Sequence, residues 1–183
     1  MMDNEKSSDT SEPDVPSDSL ADVAPCLQVD EPPVHVVLYQ PEIPQNTGNI
    51  GRTCVAVGAK LWLVRPLGFK IDEHSVRRAG VDYWHMLNLQ LVDSIGEVQQ
   101  ALPQRKFWYF SRFARRSLWE AEIDLGDAIV FGRESAGLPE EILDLDSPQA
   151  IRIPTTEQVR SLNLSNTAAI AVYEVLRQHG RLG

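Results

Sequence analysis

The chain has 183 residues, 43% of them hydrophobic and 23% charged, which suits one soluble domain and leaves little for a second. No apolar run approaches the roughly 18 residues of a membrane span, and the amino terminus lacks the basic and apolar regions of a secretory signal. Two cysteines, Cys26 and Cys54, are too few for a disulfide scaffold and have no metal-ligand spacing, so the expectation is a reducing cytoplasm and no metal.

The net charge of −9 argues against a nucleic-acid partner only until its distribution is considered. Residues 1–33 hold nine acids against one base, Lys6, while residues 34–183 hold seventeen acids against sixteen bases. Thirteen of those sixteen bases are Arg, the side chain suited to bidentate phosphate contact. Residues 1–33 are rich in Ser, Asp, Glu and Pro without apolar periodicity, and read as a disordered acidic extension. Residues 34–183 read as the folded domain.

Within that domain the pattern is strand, loop, helix, repeated. Val34–Tyr39 is a short apolar run ending at a Pro-rich loop. Thr47–Gly58 follows as a helix, with Ile50, Cys54 and Val57 on one face. Strands are expected at Leu61–Val64, Leu87–Val92, Phe107–Phe110, Ala128–Phe131 and Ile151–Ile153, and helices near Asp72–Ala79, Ser94–Leu102 and Pro139–Leu145. Such alternation predicts a parallel sheet covered by helices on both sides. The last helix, roughly Leu162–Gln178, has two apolar faces: Leu162, Ala169, Val172 and Leu176 on one, Leu164, Ala168, Ala171 and Val175 on the other. Two such faces need two partners, the sheet and either a second subunit, giving a homodimer, or the rest of a monomer.

Two familiar nucleotide motifs are missing. No G-x-G-x-x-G follows the first strand, and Gly132 and Gly137, though spaced as in a phosphate loop, are followed by Leu138-Pro139 instead of Lys-Ser/Thr. Three other segments carry the chemistry. In Asn46-Thr47-Gly48-Asn49-Ile50-Gly51-Arg52-Thr53-Cys54, Asn46 or Thr47 can cap a helix whose polar face holds Asn49, Arg52 and Thr53. A helix start with a guanidinium makes a phosphate site. Phe131-Gly132-Arg133-Glu134-Ser135-Ala136-Gly137-Leu138-Pro139 is a glycine-bearing turn after a strand, where backbone can approach a flat ligand. Ile151-Arg152-Ile153-Pro154 leads through a polar loop into Ser161-Leu162-Asn163-Leu164-Ser165-Asn166, whose polar residues suit either capping or ligand contact.

These segments, with Arg77-Arg78-Ala79-Gly80-Val81-Asp82-Tyr83 between the first two, resemble in order the motifs of SPOUT-class RNA 2′-O-methyltransferases. The resemblance runs from about Val36 to Gln178, and it is greatest to the subgroup acting on the tRNA wobble nucleotide, cytidine or uridine 34. It implies an α/β fold in which a parallel β-sheet flanked by helices ends in a deep C-terminal trefoil knot. It further implies S-adenosyl-L-methionine as cofactor and tRNA as partner.

By position, the resemblance assigns cofactor binding to Tyr109, Gly132, Glu134, Gly137, Ile153, Ser161 and Leu162. It assigns catalysis to Arg52, Asn46, Ser161 and Asn163, and RNA contact to Arg52, Arg77, Arg78 and Tyr173. Because a guanidinium stays charged in proteins, Arg52 is expected to clamp a phosphate beside the target ribose and not to accept its proton. Further RNA contacts are expected from Lys70, from an aromatic such as Tyr83 or Trp84, and from Arg105, Lys106, Arg112, Arg115 and Arg116, a group equally readable as a solvated basic face. Thr155-Thr156 departs from the family pattern. The competing functions are a non-catalytic RNA-binding module, a small-molecule enzyme that binds an adenine ligand, and a methyltransferase for another tRNA or rRNA position.

Overall fold

The computed structural model describes residues 31–70 and 84–182. The expected helix at Asp72–Ala79 and the candidates Arg77, Arg78 and Tyr83 lie outside the described residues, as does Cys26.

The chain opens with β1 (His35–Tyr39), α1 (Pro44–Val57) and β2 (Lys60–Val64), then β3 (Leu89–Val92), α2 (Ile95–Ala101) and β4 (Phe107–Phe110). It continues with β5 (Arg116–Ser117), β6 (Ala128–Phe131), β7 (Ala150–Arg152) and α3 (Leu164–Gln178). The strands form one sheet in the order β3-β2-β1-β6-β4-β7-β5, and every pairing is parallel.

The central strands β1, β2 and β6 are apolar on both faces because both are covered, as in parallel sheets generally. Val36, Leu38, Leu61, Leu63, Ile129 and Phe131 pack with Ile50 and Cys54 of α1 and with Ala168, Val172 and Val175 of α3. On the other face Val37, Trp62, Val64 and Val130 pack with Val92 and with Ile95 and Val98 of α2. Burial pushes the Cys54 thiol up to about 12, so it serves as core filling.

Both apolar faces of α3 are used inside one chain. Ala168, Ala171 and Val175 are buried, and so are Val172 and Leu176 of the other face, since α3 lies against α1 as well as the sheet. The two faces therefore find packing partners within the chain, and they carry no argument against a second subunit. The large apolar side chains that α3 leaves exposed are Ile170 and Tyr173.

Three sequence expectations need correction. Helix α1 begins at Pro44, not Thr47, and Ile43 at its N-cap contributes no side-chain bond. Pro44 sits where its fixed φ suits a first turn and its missing N–H costs nothing. Pro139–Leu145 is no helix: the N–H groups of Ile142 and Leu143 share the Pro139 carbonyl for one turn, after which Asp144 Oδ1 accepts from Asp146 N and diverts the backbone. Strand β5 was not anticipated; it is two residues long and is defined by its pairing with β7. Just before β1, Gly126 N donates to Pro33 O at 2.8 Å and Glu31 pairs with Arg105 at 3.7 Å.

Candidate active site

The carboxyl ends of β4, β6 and β7 open into a cavity of about 550 Å³. Ligands of open parallel sheets bind in this position. Phe110 and Phe131, the last residues of β4 and β6, stack with ring centroids 4.6 Å apart and form its apolar floor.

The turn after β6 is closed by reciprocal bonds: Arg133 N donates to Gly137 O at 3.1 Å, and Gly137 N to Arg133 O at 2.8 Å. Gly137 has φ +73°, which favours glycine. At Gly132 a Cβ would collide with the backbone of Gly137 and Leu138. That glycine is thus demanded by the turn itself, whereas the sequence suggested room for a ligand.

Glu134 at the turn's tip supplies the cap that α1 lacks locally. Its Oε2 accepts from Glu42 N at 2.8 Å, and its Oε1 accepts from Ile43 N at 3.3 Å and Asn46 Nδ2 at 3.0 Å. Glu42 reciprocates, accepting from Ser135 N at 2.9 Å and Ser135 Oγ at 2.8 Å. Those two bonds hold the Glu42 carboxyl below its ordinary range, with the Arg133 charge adding to them against a smaller desolvation effect. Arg133 itself donates to Gln40 Oε1.

Asn46 carries the connection onward. Its Oδ1 accepts from Asn163 Nδ2 at 3.0 Å, and Asn163 Oδ1 accepts from Ser165 N at 2.8 Å and Ser165 Oγ at 2.7 Å. Asn163 is also the N-cap of α3. One relay, Glu134–Asn46–Asn163, therefore joins the three motifs, drawn from positions up to 117 residues apart. The expected capping role for Asn46 is replaced by this bridging one, and Asn46 is buried as a bridge must be.

Asn46, Gly132, Glu134, Gly137, Ile153, Ser161, Leu162 and Asn163 all line the cavity. Tyr109 does not; it is half-buried with its hydroxyl accepting from Gln99 Nε2 at 3.4 Å, and its neighbours Phe110 and Ser111 face the cavity. Arg52 is exposed on α1 and Tyr173 is exposed on α3, both outside the cavity lining. Sequence reasoning overlooked Glu42 and Phe113, and gave Ser135 no role of its own within its motif. It also gave no role to Arg152, although that residue stood inside the Ile151-Arg152-Ile153-Pro154 motif. Among the described residues no group of three or more His, Cys, Asp or Glu side chains could hold a metal, and no helix is long and apolar enough to cross a membrane.

A sheet whose switch-point cavity is built from these three motifs defines a class, and sequence comparison agrees. Residues 33–173 match the SpoU rRNA Methylase family, and the chain belongs to that family. It is 43% identical over 149 residues to the tRNA (cytidine(34)-2′-O)-methyltransferase of Methylovorus glucosotrophus (strain SIP3-4), spanning 81% of this chain and 97% of that protein. A solved structure concerned with 2-OH methylation of C/U34 on tRNA superposes with a TM-score of 0.74 at 46% identity, over 80% of this chain and 96% of the other. The SpoU methyltransferase AviRb from Streptomyces viridochromogenes, in complex with AdoMet, gives a TM-score of 0.69 at 25% identity, over 84% of this chain and 60% of that one.

Proposed function

We infer that the protein transfers a methyl group from S-adenosyl-L-methionine to the ribose 2′-hydroxyl of tRNA nucleotide 34, a cytidine or uridine. The observation that carries this reading is the Glu134–Asn46–Asn163 relay, which gathers three motifs at one cavity in a chain aligned over 81% of its length with a relative of that activity.

The cavity suits the cofactor. Its volume of about 550 Å³ falls within the roughly 300–1,000 Å³ of small-ligand sites, and a stacked aromatic floor under a polar rim matches a nucleoside with a polar arm. Gly132, Ile153 and Leu162 would hold it chiefly through backbone. When bound, the cofactor supplies an electrophilic methyl group on sulfur. The chain's task is then to align the ribose hydroxyl with that methyl and keep water away, which can contribute roughly 7–11 kcal/mol in favourable systems. Asn163 is bonded on both sides, so its orientation is set before substrate arrives. With Ser161 at the rim it positions the hydroxyl. Arg52 clamps the adjacent phosphate, and Tyr173, Arg77 and Arg78 extend the RNA contact.

We also read the carboxyl-terminal half as a trefoil knot. The support is the strand order: the chain passes from β6 across β4 to β7, then returns to place α3 beside α1 and β6. The exposed Ile170 of α3 favours a homodimer.

The test is methylation of bulk tRNA from cells lacking this gene, mapped by nuclease digestion and mass spectrometry. A single 2′-O-methyl group at nucleotide 34 is expected. Arg52→Ala should slow transfer on the order of a hundredfold or more, as removal of a preorganised charge does, with affinity for S-adenosylhomocysteine kept within about twofold. Methylation elsewhere would refute the substrate, and parallel loss of cofactor affinity would refute the clamp.

A further inference from the structure

Four guanidinium groups line the cavity: Arg112, Arg133, Arg152 and Arg160. Three of them are engaged by protein acceptors. Arg112 Nη1 donates to Arg160 O at 3.3 Å, Arg133 to Gln40 Oε1, and Arg160 Nη2 to Ser135 O at 3.5 Å. Arg152 differs. Its Nε is sealed from solvent and has no hydrogen-bond partner, and no ion pair among the described residues includes it.

An unpartnered N–H of a charged group withdrawn from water is costly, on the order of 1–3 kcal/mol or more, unless something else completes it. The carboxylate of the glycine-bearing turn, Glu134, does not complete it; its oxygens accept from Glu42, Ile43 and Asn46 instead. Arg152 is the last residue of β7, at the wall of the cavity beside Ile153. A polymer phosphate reaches the rim of such a cavity more readily than its wall, whereas a small ligand fills it.

We propose that Arg152 is the oxyanion-binding group of the cavity and takes the carboxylate at the amino-acid end of the cofactor. The proposal rests on S-adenosyl-L-methionine being the cofactor. Arginine's planar fork matches a carboxylate in two parallel bonds, so the pair would fix where the methionine arm lies and thereby where the sulfur sits. Arg152 is thus a cofactor-positioning residue.

Two ligands separate this role from others: S-adenosylhomocysteine, which has the carboxylate, and 5′-methylthioadenosine, which keeps the adenosine and thioether but lacks the amino-acid end. Calorimetry on the full chain should give Arg152→Met, which keeps an unbranched apolar stem, a roughly ten- to hundredfold loss for S-adenosylhomocysteine. Affinity for 5′-methylthioadenosine should stay within about twofold, and tRNA affinity measured without cofactor should not change. Arg152→Lys, which keeps the charge, should recover part of the loss, and this arm decides the matter if the Met variant does not fold. Equal loss of both ligands would overturn the proposal in favour of an adenosine or packing contact. Unchanged S-adenosylhomocysteine binding, or loss confined to tRNA, would overturn it as well. If the unmodified protein bound neither ligand, the cofactor reading itself would fail, an outcome distinct from all of these.

Discussion

The two ends of the sheet handle buried polar groups in opposite ways. At the amino end, buried Asp127 accepts from Lys106 N at 3.0 Å, Trp108 Nε1 at 2.9 Å and Asp124 N at 3.1 Å. Beside it, His35 Nδ1 accepts from Trp62 Nε1 at 3.1 Å. These groups are matched donor to acceptor. At the carboxyl end the relay is equally well bonded, but it borders a cavity in whose lining one atom, Arg152 Nε, is buried without a partner. A network that closes on itself holds a fold together; one that leaves valences beside a cavity is built to be completed by a ligand.

This contrast is broken most directly by matched deletions. Asp127→Ala strands an indole N–H and two backbone N–H groups, and should cost about 3 kcal/mol or more in urea unfolding. Methyl transfer per folded molecule should stay unchanged. Asn46→Ala should do the reverse: it removes two part-buried hydrogen bonds at a cost of about 1–3 kcal/mol, with transfer reduced on the order of a hundredfold. Equal effects of both variants on turnover per folded molecule would erase the distinction between the two ends.

Much of the fold was legible because a parallel sheet writes itself as short apolar runs: β4 and β6 match their sequence ranges, and β1, β2, β3 and β7 fall within one or two residues of theirs. What was illegible depends on partners far along the chain. Helix α1 is capped by Glu134, about 90 residues away, so local capping rules misplace both its start and the role of Asn46. Strand β5 has no apolar pattern of its own and takes its identity from β7. The site residues were named by resemblance, yet their mutual bonding was not. Nothing in the spacing of Asn46, Glu134 and Asn163 says that one amide bridges the other two side chains. The structure also separates Arg152 from the other cavity arginines, which no sequence pattern could do.

The amino end makes a second prediction through pH. Burial first, then the charges of Lys60 and Arg105, lower the His35 pKa from 6.5 to about 4. The unfolded chain therefore binds a proton between pH 6.5 and 4 that the folded chain refuses. Its contribution is complete above pH 6.5, is lost progressively down to pH 4, and changes no further below that. Allowing for water at the amino end of the strands, the loss should be roughly 2 kcal/mol. Denaturant titrations of the protein and of His35→Gln, compared between about pH 7 and about pH 5, isolate this residue because ordinary carboxylates titrate mostly lower. Parallel pH profiles for the two proteins would show that His35 does not carry the dependence.

The smallest effect concerns the acidic segment, and here the comparison of ends changes the expectation. On charge alone, a segment with this excess of acids should compete with phosphate for the Arg-rich body. The chain enters the fold at the amino end, however, where Glu31 meets Arg105 and Pro33 accepts from Gly126. The cavity opens at the opposite end. At physiological salt a charge is screened beyond about 8 Å, and the strands alone separate the two ends by roughly 15 Å at about 3.3 Å per residue. Competition then requires the segment to reach around the body, which some thirty residues can span in contour but only at an entropic cost. Truncation should therefore remove residues 1–30 and keep Glu31 and Pro33. Affinity for tRNA should rise by less than about threefold at low salt, and the gain should vanish as salt increases. Thermal stability should not change, because the anchoring contacts remain. Weaker tRNA binding after truncation at every salt concentration would sink the competition model and make the segment a recruiting arm. A large gain that survives high salt would place it at the carboxyl end, beside the cavity.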